Sequence, residues 1–250
     1  NDSLGAEQGQ GHGQGRGVAA MPELPAAEGG AAEGAVPGPP FFAAAFCVCA
    51  RLLSLQGGSE MAGGMQAACP PAVFDVLRQD LDVSSELFAS PLNCRFPRFC
   101  SAALDADAPF GSLGSFFDCD LRSGAYLANP PFDPTVVERM ILRMEALLDA
   151  ADQAGASLSF VVVMPRWQMP RGPHLAVWRR VHDSPHATVQ IVLPKARHAY
   201  LEVGLTRPSP SRHDSSVVVL QSAAAVRSSP VSEPMLARLR EAFRAGRGEA

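Results

Sequence analysis

Four consecutive residues, Asn129-Pro130-Pro131-Phe132, are suited to holding a planar amine. The Asn129 side-chain carbonyl can accept one hydrogen from an exocyclic NH2 group. The Pro130 backbone carbonyl can accept the other. Two prolines narrow the backbone's choices, so both acceptors are set before a substrate arrives. The Phe132 ring offers a face on which a base can stack, an interaction of ~1–3 kcal/mol. An amine held by two acceptors keeps its nitrogen lone pair turned toward an electrophile. The chemistry on offer is attack by that nitrogen, which needs no general base early because the amine attacks neutral and loses its proton afterwards.

Such a motif needs elements that fix its direction. Gly124 to Ala128 reads as a short strand leading into it, and Asp133-Pro134 as a helix start with Asp as N-cap and Pro at the first helical position. The tetrapeptide therefore falls at the carboxyl end of a strand, where open α/β sheets place ligands. Val137, Ile141, Met144, Leu148 and Ala151 recur at helical spacing over 134–154, with Gly155 as C-cap. Leu158 to Met164 is nearly all apolar and rich in β-branched residues, as a strand buried on both faces should be. It ends at Pro165-Arg166-Trp167. Val189–Leu193 and Val217–Leu220 read as the last strands, with a basic loop, 195–213, between them.

Upstream, 41–82 reads as a helical lead-in: one apolar helix, Phe41–Leu55, with Arg51 inside it, a Gly63-Gly64 turn, and a second helix opened by Pro70-Pro71. At 86–93 a short strand piece breaks into Phe88-Ala89-Ser90-Pro91-Leu92-Asn93. Small side chains there let backbone N–H groups approach a ligand closely. Phe99–Leu104 reads as a second strand ending in Asp105-Ala106-Asp107, and an acid at that point can take both ribose hydroxyls of a nucleoside cofactor. A Gly-rich, aromatic-flanked loop, 110–116, follows.

The 250 residues suffice for one domain with tails, and a start at Asn rather than Met fits a fragment. Residues 1–40 contain almost no large apolar side chains and read as a disordered low-complexity segment. Residues 223–250 read as a mostly disordered tail with a short helix near 235–245. No signal-peptide pattern is found, and the longest apolar run, 41–50, is too short to span a bilayer. The six cysteines form no CxxC pair and no His/Cys metal spacing, so no metal is expected and buried free thiols are. Net charge is −4, and residues 1–36 alone carry five acids against one base. Residues 166–213 hold eight bases against two acids, a local +6 that suits a phosphate-binding surface.

The tetrapeptide resembles the Asn/Asp-Pro-Pro-aromatic signature of S-adenosylmethionine-dependent amino-methyltransferases. Four motifs in order extend the resemblance: Phe-Ala-Ser-Pro-Leu-Asn-Cys at 88–94, Phe-Gly-Ser-Leu-Gly-Ser-Phe at 110–116, Asn-Pro-Pro-Phe at 129–132, and an apolar strand ending in Pro-Arg-Trp at 160–167. Together they resemble the phosphorylated-CTD-interacting-factor family over about residues 41–222. That resemblance implies an α/β, Rossmann-like S-adenosylmethionine-dependent methyltransferase fold with a mostly parallel sheet. It implies methyl transfer from S-adenosylmethionine to N6 of the 2′-O-methyladenosine beside the cap of mRNA. Asn129, Pro130, Pro131 and Phe132 would hold the adenine. Phe88, Ala89, Ser90 and Asn93 would line the cofactor pocket, with Asp105, placed by strand order, on the ribose. Arg166, Trp167, Lys195, Arg197, His198 and Tyr200 would take the cap and phosphates. Capped mRNA is the implied partner and the nucleus the implied location. The RNA polymerase II machinery is implied by the family alone, since no WW module is seen here.

Three other readings stay open on sequence, one of them a truncated product that does not fold alone because the helical region preceding the family's catalytic core is mostly missing. The amine cradle cannot distinguish capped mRNA from DNA or internal RNA, and a duplex substrate would require base flipping. A catalytically silent RNA-binding homologue would keep the same fold.

Overall fold

The computed structural model describes residues 39–55, 66–166, 172–201 and 208–245. Helix α1 (Pro39–Leu55) is followed by α2 (Pro71–Leu81) and the first strand, β1 (Val83–Glu86). Pro70 precedes α2 as its cap, and Val73, Phe74, Leu77 and Leu81 form its buried face. The chain then passes through a single helical turn, α3 (Leu104–Asp107), to β2 (Gly124–Ala128), α4 (Pro134–Ala154) and β3 (Leu158–Pro165). Helix α5 (Pro173–His182) leads to β4 (Ala187–Leu193). A small hairpin of β5 (Ala199–Leu201) and β6 (Pro208–Pro210) precedes β7 (Ser215–Gln221), α6 (Ala223–Ser228) and α7 (Glu233–Ala245).

The main sheet has the order β1-β2-β3-β7-β4. β1, β2 and β3 pair in parallel, whereas β7 runs antiparallel to both β3 and β4. The expectation of a mostly parallel sheet therefore holds for the first three strands, and the sheet as a whole is mixed. Strand faces alternate as the pleat demands. Tyr126, Ala128, Phe160 and Val162 pack under α4 and α5, while Ala125, Leu127, Val161 and Val163 pack against α2 and α7. Every residue of β3 is buried, in keeping with its unbroken apolar run. On α4, Val137, Met140, Ile141, Met144 and Leu148 are fully buried, each a stabilisation of ~1.5–3 kcal/mol.

Several expectations need correction. The second strand expected over 99–104 is reduced to one residue, Phe99, which bridges Glu86 on one side and Ser112 on the other. Beyond it the small residues Ser101-Ala102-Ala103 lead directly into α3, so Asp105 sits on a helical turn rather than at a strand end. The basic stretch after β4 is not a plain loop, because it contains the β5–β6 hairpin. The tail is ordered through Ala245: Met235, Leu236, Leu239, Ala242 and Phe243 of α7 are buried. Of the low-complexity stretch 1–40, only the last two residues lie within the described part, and the Gly63-Gly64 turn lies outside it. Cys69, Cys100 and Cys119 are buried free thiols, but Cys47 and Cys49 are exposed on α1.

Candidate active site

The carboxyl ends of the parallel strands deliver two short loops to one place. After β1 the chain runs Leu87 to Asn93 without regular structure. Leu87 N–H donates to the Leu127 carbonyl at 2.8 Å, tying this exit to β2. Asn93 turns its side chain back on the loop, its Oδ1 accepting from the Ser90 N–H at 2.7 Å. After β2 comes Asn129 to Phe132, ended by Asp133, whose Oδ1 accepts from the Thr135 and Val136 N–H groups at 2.9 and 3.0 Å. This cap fixes where α4 begins, and so fixes the tetrapeptide between strand and helix.

Both loops wall one cavity of about 930 Å³, near the upper end of the ~300–1,000 Å³ usual for small-molecule sites. Phe88, Ala89, Ser90 and Asn93 line it from the first loop, and Asn129, Pro130, Pro131 and Phe132 from the second. Phe116 and Phe117 add an aromatic wall, with ring centroids 5.6 and 6.0 Å from that of Phe88. The glycine-containing loop that precedes this wall packs closely on Pro97. Gly111 has φ +101, and a Cβ there would lie 2.0 Å from the Pro97 carbonyl oxygen, so only glycine fits.

The two ends of the Asn129 amide differ. Its Nδ2 donates to the Ala67 carbonyl at 3.1 Å. Its Oδ1 is enclosed by protein and has no hydrogen-bond partner. A buried acceptor left without a donor costs ~1–3 kcal/mol, a cost a ligand N–H can relieve. Phe132, by contrast, is 45% exposed, with its ring free for stacking. Asn129 also lines a small void together with Glu86 and Cys69. Burial raises the Glu86 carboxyl to about 7, against the pull of the Arg95 and Phe96 N–H groups that donate to its Oε2 at 2.6 and 3.2 Å.

The remaining expected site residues divide. Asp105 is exposed and does not line the cavity; the acid that does is Asp107, 1% exposed and paired with Arg51 at 2.6 Å. Tyr200 lines the cavity, but its hydroxyl donates to Ser215 Oγ at 2.8 Å, and burial pushes its pKa well above the usual range. His198 is a core residue rather than a ligand contact. It is 1% exposed and held by the Pro194 carbonyl and Ser215 Oγ, both at 2.8 Å. Arg166, Lys195 and Arg197 are exposed and do not line the cavity. Arg166 lies over the Trp178 ring at 5.6 Å. Trp167 falls outside the described residues. Among the described residues no group of three His, Cys, Asp or Glu side chains could hold a metal, and no helix is long and apolar enough to cross a membrane.

Sequence reasoning missed Gln66, Ala67, Arg51, Asp107 and His174, all of which line the cavity. Arg51 had a signal, as the one charge inside an apolar helix, and Asp107 stood two residues from the acid chosen. Ala67 had none.

In this α/β protein the parallel strands carry a proline-stiffened amide and an exposed aromatic into one ligand-sized cavity. The family described as Phosphorylated CTD interacting factor 1 WW domain matches residues 38–203, about two thirds of the chain. The chain belongs to this family. The matched span runs from α1 into the β5–β6 hairpin and so covers the cavity-forming half of the sheet. Two curated relatives, from mouse and human, are each named mRNA (2′-O-methyladenosine-N(6)-)-methyltransferase. Each is 37% identical over 161 residues, covering 64% of this chain and 22% of the relative. The chain thus spans about a fifth of the length of the curated relatives it matches.

Proposed function

We propose that this chain transfers methyl from S-adenosylmethionine to the exocyclic N6 amine of the cap-adjacent 2′-O-methyladenosine of mRNA. The observation that carries the reading is the enclosed, unpartnered Oδ1 of Asn129 in the wall of a cavity bounded by Pro130 and Phe132. Likeness to the two named methyltransferases supplies the reaction and the substrate.

The residues present fit the donor. Ala89 and Ser90 are small and lie in the loop after β1. Phe88, Phe116 and Phe117 give an apolar wall for its adenine or its charged centre, and Asp107 with Arg51 gives a polar end. When bound, S-adenosylmethionine supplies an electrophilic methyl group on sulfur. The chain's own work is orientation and exclusion of water. Asn129 Oδ1 and the Pro130 carbonyl accept the two amine hydrogens, and Phe132 stacks on the base. The amine loses its proton after attack. Arg166, Lys195 and Arg197, exposed beyond the ends of β3 and β4, take RNA phosphates. The matching place of action is the nucleus, where RNA polymerase II transcripts are capped.

The test is methyl transfer from labelled S-adenosylmethionine to three substrates, read by nucleoside mass spectrometry. These are capped RNA starting with 2′-O-methyladenosine, the same RNA uncapped, and duplex DNA. Transfer to the capped RNA alone is expected. Transfer without cap preference would keep the chemistry and remove the cap. Transfer to none, with the donor still bound, would make this a silent RNA-binding homologue.

A further inference from the structure

Asn129 does not orient itself. A carboxamide can place either end toward a ligand, and the end that faces away is decided by what it touches. Here that contact is the Ala67 carbonyl, which accepts from Nδ2 at 3.1 Å. A reversed amide would put two acceptor oxygens against each other. The Ala67 carbonyl therefore specifies that oxygen is the free end of Asn129.

The segment that carries Ala67 is itself tied down on both sides. One residue earlier, Gln66 Oε1 accepts from Ser90 Oγ at 2.6 Å, and the Gln66 carbonyl accepts from Asn93 Nδ2 at 3.4 Å. One residue later, Ala68 and Leu201 exchange backbone hydrogen bonds of 2.9 and 2.8 Å, making Ala68 a one-residue extension beside β5. Three consecutive residues, 66–68, thus join the loop after β1, the amide after β2 and the hairpin that follows Lys195 and Arg197. Each of those three parts sits on a different stretch of chain, and among the described residues no hydrogen bond joins Leu87–Asn93 directly to Asn129–Phe132.

We infer that Gln66–Ala68 is a positioning strap: Gln66, held by Ser90, fixes the Ala67 carbonyl and through it the acceptor end of Asn129. The side of the cavity assigned to the methyl donor is thereby linked to the side assigned to the amine. A shift of the Ser90–Asn93 turn moves the carbonyl that orients Asn129. Gln66 lines the cavity beside Ser90, and because it is argued to act through the Ala67 carbonyl it is a positioning residue. The kinetic part of this inference rests on the methyl-transfer reading above; the structural part does not.

Gln66→Leu removes the acceptor at nearly constant size, Gln66→Glu keeps an oxygen for Ser90, and Ser90→Ala removes the same bond from its other end, together with the Ser90 Oγ contacts to the Leu92 N–H and Asn93 Oδ1 at 3.2 Å each. The first readout is the side-chain amide of Asn129 in the 15N-labelled full chain, its two N–H signals assigned by their loss in Asn129→Asp. In the native protein one proton of the pair, bonded to Ala67, should exchange slowly. Gln66→Leu should speed that exchange about tenfold and Ser90→Ala at least as much, the pair together no more than Ser90→Ala alone, because the Gln66–Ser90 bond is already lost in it. Gln66→Glu should restore it. The second readout is methyl transfer with capped RNA. Gln66→Leu should lower kcat about tenfold with KM for RNA little changed, as expected of misalignment, and Gln66→Glu should recover most of the loss. An Asn129 amide that ignores both Gln66→Leu and Ser90→Ala overturns the strap. A responsive amide in a protein that transfers methyl to nothing keeps the strap and removes the methyl-transfer reading. A responsive amide with undiminished kcat confines the strap to structure and overturns its role in catalysis.

Discussion

Replacing Asn129 by Ala should separate stability from activity. The side chain makes one hydrogen bond, to the Ala67 carbonyl at 3.1 Å, a contribution of about 0.5–1.5 kcal/mol. It also holds an enclosed carbonyl oxygen with no partner, which costs about 1–3 kcal/mol. Removing both takes away a stabilising term no larger, on balance, than the destabilising one. The truncation also faces a wall of an existing cavity and so creates little new void. The variant should therefore be as stable as the native chain or more so by about 1 kcal/mol, a Tm unchanged or raised by about 2–4 °C. Its methyl transfer should fall by at least about 100-fold, since the amine loses its fixed acceptor and with it alignment. That loss corresponds to about 2.7 kcal/mol of transition-state stabilisation. Denaturant melts and single-turnover methylation of capped RNA measure the two quantities. A variant destabilised by more than about 2 kcal/mol would mean that Asn129 is a structural residue. Turnover within about fivefold of native would mean that it does not hold the amine.

Other residues give sharper tests of particular statements. Glu86 has its pKa raised from 4.5 to about 7 by burial, so its contribution to stability is fully present below pH 4.5 and is lost as pH rises through 7. Glu86→Gln should therefore gain on the native protein by about 3 kcal/mol between pH 4.5 and 8; a difference that stays flat with pH in denaturant melts would refute the burial argument. His198→Ala should cost about 2–3 kcal/mol, because it empties a site 1% exposed and strips a partner from Ser215. It should leave the affinity for capped RNA within about twofold in filter binding, and a large loss of affinity at unchanged stability would return His198 to the substrate surface. Gly111→Ala, with φ +101 and a Cβ 2.0 Å from the Pro97 oxygen, should destabilise by about 3 kcal/mol or more; a calorimetric Tm unchanged from native would show that the loop can relax.

What could be read from the chain follows from how local each signal is. Helix α4 carried its own start, stop and face: Asp133 caps it, Pro134 begins it, and Gly155 ends it at φ +66. The unbroken run of β3 could only be a strand buried on both faces. The strand piece read from Glu86 onward starts earlier, at Val83, a start hidden because Val-Ser-Ser looks like a turn; the burial of these residues is made tolerable by distant partners, such as the Arg98 carbonyl that accepts from Ser85 at 2.8 Å. The tail looked solvated because Ala, Ser and Arg dominate it, yet Met235, Leu239 and Phe243 recur on one helical face and close over the sheet. At the site, the cavity-lining stretch 129–132 and the loop after β1 were legible because each is contiguous. Asp105 and Asp107 were not separable, since only a helical turn sends one to solvent and the other into the cavity wall. Counting charge likewise could not tell Lys195, which is exposed, from His198, which is core.

The mixed pairing of the sheet bears on function as well as on topology. β7 runs antiparallel to β3 and to β4, so β4 runs parallel to β3. Its carboxyl end therefore emerges on the same edge as those of β1, β2 and β3. Pro165 and Leu193 both register with Ser215 across β7, and the Arg166 and Lys195 N–H groups both donate to Asp214, at its carbonyl (2.7 Å) and at its carboxylate Oδ1 (2.8 Å). One inserted strand thus brings two exposed cations, remote in sequence, to the edge that already carries Ser90 and Asn129. Had β4 paired directly with β3, that edge would have Lys195 next to Arg166 with no acid between them. With β7 inserted, Asp214 anchors both backbones while the cationic side chains stay in solvent, where a phosphate can reach them.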